Sequence, residues 1–311
     1  MPDVEVRDVV KAYKEKVAVD GLSFSTEKGE VFGLIGPNGA GKTTTIRMMM
    51  DIIQPDSGTV AIFGETPSQA TKDRLGYLPE ERGLYRKLTV IETISYLASL
   101  KGMDPRTIEA TADALLERTG MTESKSKKVE ELSKGMSQII QLIVTIVHDP
   151  ELVILDEPFT GLDPVNTERV KQLLLGLREQ GKAVILSTHQ MNQVEAICDR
   201  VLMVNDGRAV LYGALDEIRE EHRGNSVLIG TDAELPALEG VAGKHRRKDH
   251  IELALAESGT PQQVLAQLVQ ARVPLDRFEV ATPSLHEIFI GKVGAEIDVS
   301  HEATVGGDAR V

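Results

Sequence analysis

The pattern of apolar and polar residues predicts a strand-rich segment at the start of the chain. Short apolar runs bounded by turn residues predict three strands and, further along, a fourth. Between them, Ile46, Met49, Met50 and Ile53 recur at helical spacing. The predicted elements are strands over Val4–Val10, Val17–Ser25, Glu30–Ile35 and Thr59–Phe63, and a helix from about Lys42 to Ile53.

A helical segment over about 87–147 follows. Thr89 and Glu92 form a capping box, and Asp104 followed by Pro105 is typical of a second helix start. A third helix begins at Ser133 and has an apolar body. These signals predict an insert of three helices within the surrounding strands.

Strands and helices then alternate again. The runs "LVIL" (152–155) and "AVIL" (183–186) are continuously apolar, which is typical of a parallel sheet buried on both faces. Helices are predicted over Pro164–Gln180 and Met191–Cys198, followed by a hairpin that turns at Asp206 and Gly207. The predicted fold class of residues 1–214 is therefore α/β with a helical insert.

The pattern weakens after Gly213 and predicts a small α+β domain over residues 215–295. Residues 296–311 are polar with little periodicity, so we expect a disordered tail, and the basic run Lys244–Lys248 is interpreted as a solvated loop. The predicted elements are strands over Ser226–Ile229, Ile251–Ala254 and Phe278–Ala281 and helices over Pro261–Ala271 and Ser284–Ile290.

The stretch "LSKGMSQ" (132–138) makes an unusual helix start. Lys134, Gly135 and Ser137 form a weak first turn, since Gly costs roughly 1 kcal/mol against Ala inside a helix. Such a turn is explained if its backbone N–H groups are reserved for a ligand, and a phosphate is the ligand that a helix N-terminus prefers.

The composition limits which binding partners and which cell compartment suit the protein. A formal net charge of −13 argues against a nucleic-acid partner. The single cysteine, Cys198, excludes an internal disulfide and fits the cytoplasm. No apolar stretch reaches the roughly 20 residues that span a bilayer, so work at a membrane would need another chain.

The motif "GPNGAGKT" (36–43) predicts a phosphate-binding loop, because it follows the strand "VFGLI" and opens a helix. Its glycines let backbone N–H groups curl around phosphate oxygens. Lys42 is expected to reach the β- and γ-phosphates, and Thr43 is expected to bind Mg²⁺.

Two further strands end in polar residues, at the edge where open α/β sheets bind ligands. In "LVILDEP" (152–158), Asp156 suits the Mg²⁺ shell and Glu157 suits a base for the attacking water. In "AVILSTH" (183–189), His189 lies at the same predicted edge and is interpreted as a γ-phosphate sensor.

The five motifs "GPNGAGKT", "LSKGM", "LDEP", "TGLD" (160–163) and "STH" resemble, in order and spacing, the ATP-binding subunit of an ABC transporter. The resemblance covers about residues 3–214 and implies a P-loop NTPase core of RecA type with an antiparallel β subdomain. The segment "RFEVATPSLHEIFI" (277–290) resembles a small domain appended to bacterial ABC exporters of the sodium-export and drug-export type.

The resemblance also implies roles that the residues alone do not assign. Tyr13 is similar to the aromatic residue that stacks on adenine, although by its chemistry it could equally be strand filler. Ser133, Gly135 and Met136 would contact the nucleotide held by a second subunit, and Asp163 would lie at the interface between the two. The remaining expected nucleotide contacts are Gly36, Pro37, Asn38, Gly39, Ala40, Gly41, Lys42, Thr43 and Thr44.

Three positions depart from the family pattern. Glu80 stands where Gln is usual. It could still bind Mg²⁺ beside Thr43 and Asp156 or orient water, and it adds negative charge near the γ-phosphate. In the helix start, Lys134 and Met136 replace the usual Gly and Gln, whereas Ser133 and Gly135 are kept.

The function implied is ATP hydrolysis, with Mg²⁺ as cofactor, that powers export through a separate membrane-spanning permease subunit. Two copies would sandwich two ATP molecules at the cytoplasmic face of the membrane. Three other functions compete with this one. They are an ABC ATPase of translation, repair or assembly, a kinase or GTPase, and a regulatory module. One cassette with a short insert argues against the first. The missing N-K-x-D motif argues against a GTPase, and the intact Glu157 and His189 argue against the regulatory module.

Overall fold

The computed structural model describes residues 2–14, 16–81, 83–222, 225–247, 249–256 and 258–292. The predicted tail, residues 296–311, lies outside the described residues. Contacts between Cα atoms divide the chain into two compact units, and the division falls between Leu215 and Asp216. Each unit is described by itself below.

The larger unit begins with a three-stranded antiparallel sheet of order β2-β1-β4. Valines on one face of β1, Val4, Val6 and Val9, are fully buried in the core, so this face packs inward. The strands are β1 (Val4–Tyr13), β2 (Lys16–Thr26) and β4 (Ser57–Ile62).

A second sheet of six strands has the order β5-β6-β7-β3-β8-β9, and only the β8–β9 pair is antiparallel. Every residue of β3, β6 and β7 is buried, which confirms the predicted parallel sheet covered on both faces. The strands are β3 (Val31–Ile35), β5 (Leu75–Leu78), β6 (Leu152–Asp156), β7 (Ala183–Thr188), β8 (Arg200–Asn205) and β9 (Arg208–Ala214).

Helices cover the six-stranded sheet and build the insert. α6 and α7 contact β3, and α1 contacts β6. In the insert, α3, α4 and α5 contact one another. The helices are α1 (Lys42–Met49), α2 (Gln69–Asp73), α3 (Val90–Leu100), α4 (Pro105–Arg118), α5 (Lys134–Ile146), α6 (Pro164–Glu179) and α7 (Met191–Ile197).

The strand order determines where the loops meet. β7 lies between β6 and β3, and all three run parallel. The loop after β3, the turn after β6 and the end of β7 therefore share one carboxyl edge of the sheet. The predicted motifs that follow these strands are consequently brought together.

The smaller unit contains an antiparallel sheet of order β11-β12-β10-β13 with α9 on one face. Val227, Ile229, Ile251 and Leu253 pack against Val264 and Leu268 of the helix. The elements are α8 (Leu215–Glu221), which begins at the boundary, and β10 (Ser226–Gly230), β11 (Val241–Arg246), β12 (Ile251–Leu255), α9 (Pro261–Gln270) and β13 (Arg277–Val280), followed by a helix over residues 285–292.

Some predicted boundaries are wrong. α1 ends at Met49 and not near Ile53, because the chain turns at Met50, and Asp51 adopts a positive φ of 50°. The interpretation of Lys244–Lys248 as a loop is wrong for Lys244–Arg246, which lie in β11, although their side chains are exposed as predicted. α2, β5, α8 and β11 were not predicted, since each is short or lacks an apolar period.

Candidate functional site

The glycine-rich loop joins β3 to α1 and leaves the start of that helix uncapped. Gly41 precedes the helix with a φ of 108°, and a Cβ at this position would lie 2.4 Å from the Ala18 carbonyl oxygen. The first backbone bond of the helix runs from the Thr45 N–H to the Gly41 oxygen. The amides of residues 42–44 therefore point out of the helix start, which is the arrangement that binds phosphate.

Lys42 is buried at the mouth of this loop with 6% of its surface exposed. Its Nζ donates to the carbonyl oxygens of Gly36 at 2.8 Å and Pro37 at 3.1 Å. Burial lowers the pKa of the Lys42 ammonium, and the nearby carboxylates of Glu157, Asp156 and Glu80 oppose that shift. One cation thus faces three carboxylates.

Glu157 is turned toward the same edge by an unusual backbone. Its φ is 52°, a left-handed conformation that is uncommon for a residue with a side chain. The Glu157 Oε1 lies 3.9 Å from Lys42 Nζ and 2.9 Å from His189 Nδ1, and its Oε2 accepts from Thr188 Oγ1 at 3.3 Å. Because the backbone changes hand here, the two adjacent carboxylates of the motif can serve one site.

Asp156 ends β6 and is buried. Its Oδ1 accepts a hydrogen bond from Ser187 Oγ. Its Oδ2 is also buried and has no hydrogen-bond partner among the described residues. A buried carboxylate oxygen without a hydrogen-bond partner among the described residues fits a divalent cation with oxygen ligands.

A cavity of about 440 Å³ lies beside Lys42 and Glu157. The predicted residues Gly36, Pro37, Ala40, Asp156 and His189 do not line it. Tyr13, at the end of β1, forms one wall, and its ring is 47% exposed. Glu80, which is exposed, and Glu157, which is buried, also line the cavity. The residues lining the cavity are Tyr13, Lys16, Ala18, Asn38, Gly39, Gly41, Lys42, Thr43, Thr44, Glu80 and Glu157.

The predicted contacts Ser133, Gly135, Met136 and Asp163 do not line this cavity. Ser133 caps α5, where its Oγ accepts from the Met136 N–H at 3.2 Å. Asp163 caps α6, and the N–H of Asn166 donates to its carboxylate at 3.0 Å. The structure therefore separates the expected contacts into one group at the cavity and another outside it.

The second group is itself held together. A Cβ on Gly135 would lie 3.2 Å from the Gly161 carbonyl oxygen, and a Cβ on Gly161 would lie 3.0 Å from Lys134 Cε. The start of α5 thus packs against the loop that leads to Asp163. Farther along α5, Gln138 Nε2 donates to the Pro158 oxygen at 3.3 Å, next to Glu157.

The sequence pattern missed two groups in the site, Ser187 and Thr188. Each donates its hydroxyl to one of the two adjacent carboxylates. The signal was present in the sequence, since both residues end an apolar strand immediately before His189.

No helix among the described residues has the length and apolar character needed to cross a membrane.

The chain is similar to known protein families and to individual proteins. A family profile described as "ABC transporter" matches residues 19–160, and one described as "ATP-binding protein DrrA1-3-like, C-terminal domain" matches residues 213–293. The chain is similar to the uncharacterized ABC transporter ATP-binding protein YhaQ of Bacillus subtilis. The two are 41% identical over 290 residues, which cover 92% of this chain and 97% of that protein.

The Nod factor export ATP-binding protein I of Mesorhizobium japonicum is 34% identical over 95% of this chain and 88% of its own length. Among solved structures, cbiO1 from Clostridium perfringens, described as part of the ABC transporter complex cbiONQ, is 26% identical. Its TM-score is 0.64, with 71% of this chain and 92% of that chain covered. These similarities confirm the predicted α/β fold and the resemblance in the motifs. The chain therefore belongs to the family of ABC transporter ATP-binding subunits and is an ATPase.

Proposed function

We propose that two copies of the chain close head to tail on two ATP molecules and so drive export through a separate permease subunit. The observation that carries this proposal is the division of the expected contacts into two groups. Lys42 and Glu157 face one cavity, whereas Ser133 and Asp163 lie outside it. In a two-fold dimer, the second group of one copy would complete the cavity of the other.

The phosphates of ATP would lie on the amides at the start of α1, with Lys42 beside the β- and γ-phosphates. Thr43, Asp156 and Glu80 would hold Mg²⁺, which when bound screens the phosphate charge. Glu157 then accepts a proton from the attacking water as that oxygen bonds to the γ-phosphorus and the bond to the β–γ bridging oxygen breaks. His189, held by Glu157 Oε1, would contact the γ-phosphate.

ATP acts here as the ligand that favours the closed state, because both copies contact it only when they are together. Hydrolysis removes that preference and the dimer reopens.

Two relatives support the coupling to transport. One is described as an export protein and the other as part of a transporter complex. We infer that a membrane-spanning permease holds this subunit at the inner face of the membrane.

Replacing Ser133 separates its capping role from its proposed role toward the partner's phosphate. Asp and Asn are both strong N-caps, so Ser133→Asp and Ser133→Asn should each preserve the helix start. Only Asp places a negative charge opposite the γ-phosphate. We therefore expect turnover to fall at least about 10-fold in Ser133→Asp and to stay within about 3-fold of the wild type in Ser133→Asn.

Steady-state ATPase assays and calorimetric ATP binding at low protein concentration check this result. ATP affinity of the isolated subunit should be equal in the two variants, because Ser133 lies outside its own cavity. Equal turnover in Ser133→Asp and Ser133→Asn would refute the role of this helix start at the nucleotide.

Tyr13 is proposed to stack on the adenine ring. Its aromatic ring is exposed at the cavity wall, and Lys11 Nζ lies 5.8 Å from its centroid. Stacking on a base is worth about 1–3 kcal/mol, so Tyr13→Ala should weaken ATP binding at least about 5-fold and Tyr13→Phe should not. Calorimetry measures the ATP affinity of both variants. Tyr96→Ala is the control, because Tyr96 is another exposed tyrosine. Unchanged binding by Tyr13→Ala would show that the ring does not contact adenine.

A further inference from the structure

Ser187 opens the "STH" motif, which assigns a role to His189 but none to this serine. It lies in β7, directly paired with Asp156 in the parallel register of β6 and β7. The residue is fully buried. Side chains paired across neighbouring strands project to the same face of a sheet, so the Ser187 hydroxyl faces the Asp156 carboxylate.

The direction of the hydrogen bonds at this hydroxyl is fixed by its single proton. Asp156 Oδ1 can only accept, so Ser187 Oγ donates to it. The Glu157 N–H can only donate, and it points at the same Oγ at 3.2 Å and at the Ser187 carbonyl oxygen at 3.1 Å. One buried hydroxyl thus connects the two adjacent acidic residues.

This connection has a different effect on each acidic residue. For Asp156, the bond engages Oδ1 and leaves Oδ2 as the oxygen without a partner among the described residues. For Glu157, the shared N–H bond stabilises a left-handed backbone, which is uncommon for a residue with a side chain. The hydroxyl therefore favours one orientation of the carboxylate and one hand of the backbone.

We infer that Ser187 is a positioning residue for Mg²⁺–ATP: it orients Asp156 so that Oδ2 serves the cation, and it holds the turn that aims Glu157. This inference rests on the proposed Mg²⁺ site. Groups that orient metal ligands typically change metal affinity or activity by about 10–100-fold when they are removed.

The experiment measures ATP affinity of the full-length chain by calorimetry in Mg²⁺ and in EDTA. The dissociation constant in EDTA divided by that in Mg²⁺ reports how much the cation contributes to ATP affinity. This readout is a binding constant and not a rate of turnover. We expect Ser187→Ala to reduce this ratio about 10-fold while its affinity in EDTA stays within about 2-fold of the wild type. Ser187→Thr keeps the hydroxyl and should keep most of the ratio.

Ser124→Ala is the matched control, because Ser124 is also a buried serine but lies in the helical insert. Thermal unfolding of each variant verifies folding, and Ser187→Cys, which keeps a weak donor of similar shape, is available if Ser187→Ala is unstable. Its ratio should lie between those of Ser187→Ala and the wild type.

Two results would overturn the inference, and they are distinguishable. If the wild type gains affinity from Mg²⁺ and Ser187→Ala gains as much, Ser187 has no positioning role, while the proposed Mg²⁺ site stands. If the wild type itself gains nothing from Mg²⁺, the proposed site fails and the inference fails with it.

Discussion

Glu157→Gln should lower ATP turnover at least about 100-fold, since a positioned general base contributes about 10²–10⁴ to a rate. Gln has nearly the same shape and can keep the contacts to His189 and Thr188, but it cannot take a proton from water. ATP affinity should stay within about 3-fold, because Lys42 keeps its bonds to the loop carbonyls. The variant should therefore bind ATP and stay closed on it.

Steady-state phosphate release and size-exclusion chromatography with and without ATP measure the two consequences. Glu151→Gln is a suitable control, because Glu151 is a half-exposed carboxylate that pairs with Arg74 just before β6 begins. A Glu157→Gln protein with wild-type turnover would exclude Glu157 as the base. Lost turnover without an ATP-dependent dimer would keep the base and contradict the proposed dimer.

Lys42→Met should abolish turnover, by at least about 100-fold, and weaken ATP binding by about 10-fold or more. The reason lies in the charges around it. Lys42 is a buried cation near Glu157, Asp156 and Glu80, so its loss leaves these three carboxylates without its charge in front of a polyphosphate. The same change also removes the two bonds that hold the ammonium on the loop.

A second lysine offers a matched control. Lys101 Nζ also donates to two carbonyl oxygens, those of Lys72 at 2.8 Å and Leu75 at 3.1 Å, and burial lowers its pKa as well. Lys101→Met therefore removes the same number of backbone contacts away from the cavity and should leave ATP binding unchanged. Calorimetry compares the two variants; equal losses of affinity would mean that Lys42 acts only through the fold.

The position of the candidate site at the carboxyl edge of the six-stranded sheet was predictable, because each motif ends or follows a continuously apolar strand. Lys42, Asp156 and His189 fall at such ends, and parallel strands present their carboxyl ends together. The strand order itself was not predictable from these patterns. It depends on the pairing of β7 with both β6 and β3, which is a property of distant segments.

The contacts that the start of α5 makes within its own chain could not be predicted from the sequence pattern either. The sequence pattern predicts that Ser133 and Gly135 are exposed for a phosphate. The structure shows that the Ser133 hydroxyl already caps its own helix and that Gly135 makes room for the Gly161 carbonyl. Both residues thus have a local structural role in addition to the proposed role at the partner's nucleotide, and only tertiary contacts reveal it.

The bond from Gln138 to the Pro158 carbonyl has a consequence for how such a protein can diverge. In the proposed dimer, the helix that begins at Ser133 serves the neighbour's nucleotide, yet its Gln138 touches the turn that carries this chain's own Glu157. A substitution in that helix would reach both reaction centres at once. Natural selection on Gln138 would then act through both the turn beside Glu157 and the helix that begins at Ser133, so we expect this position to tolerate few substitutions.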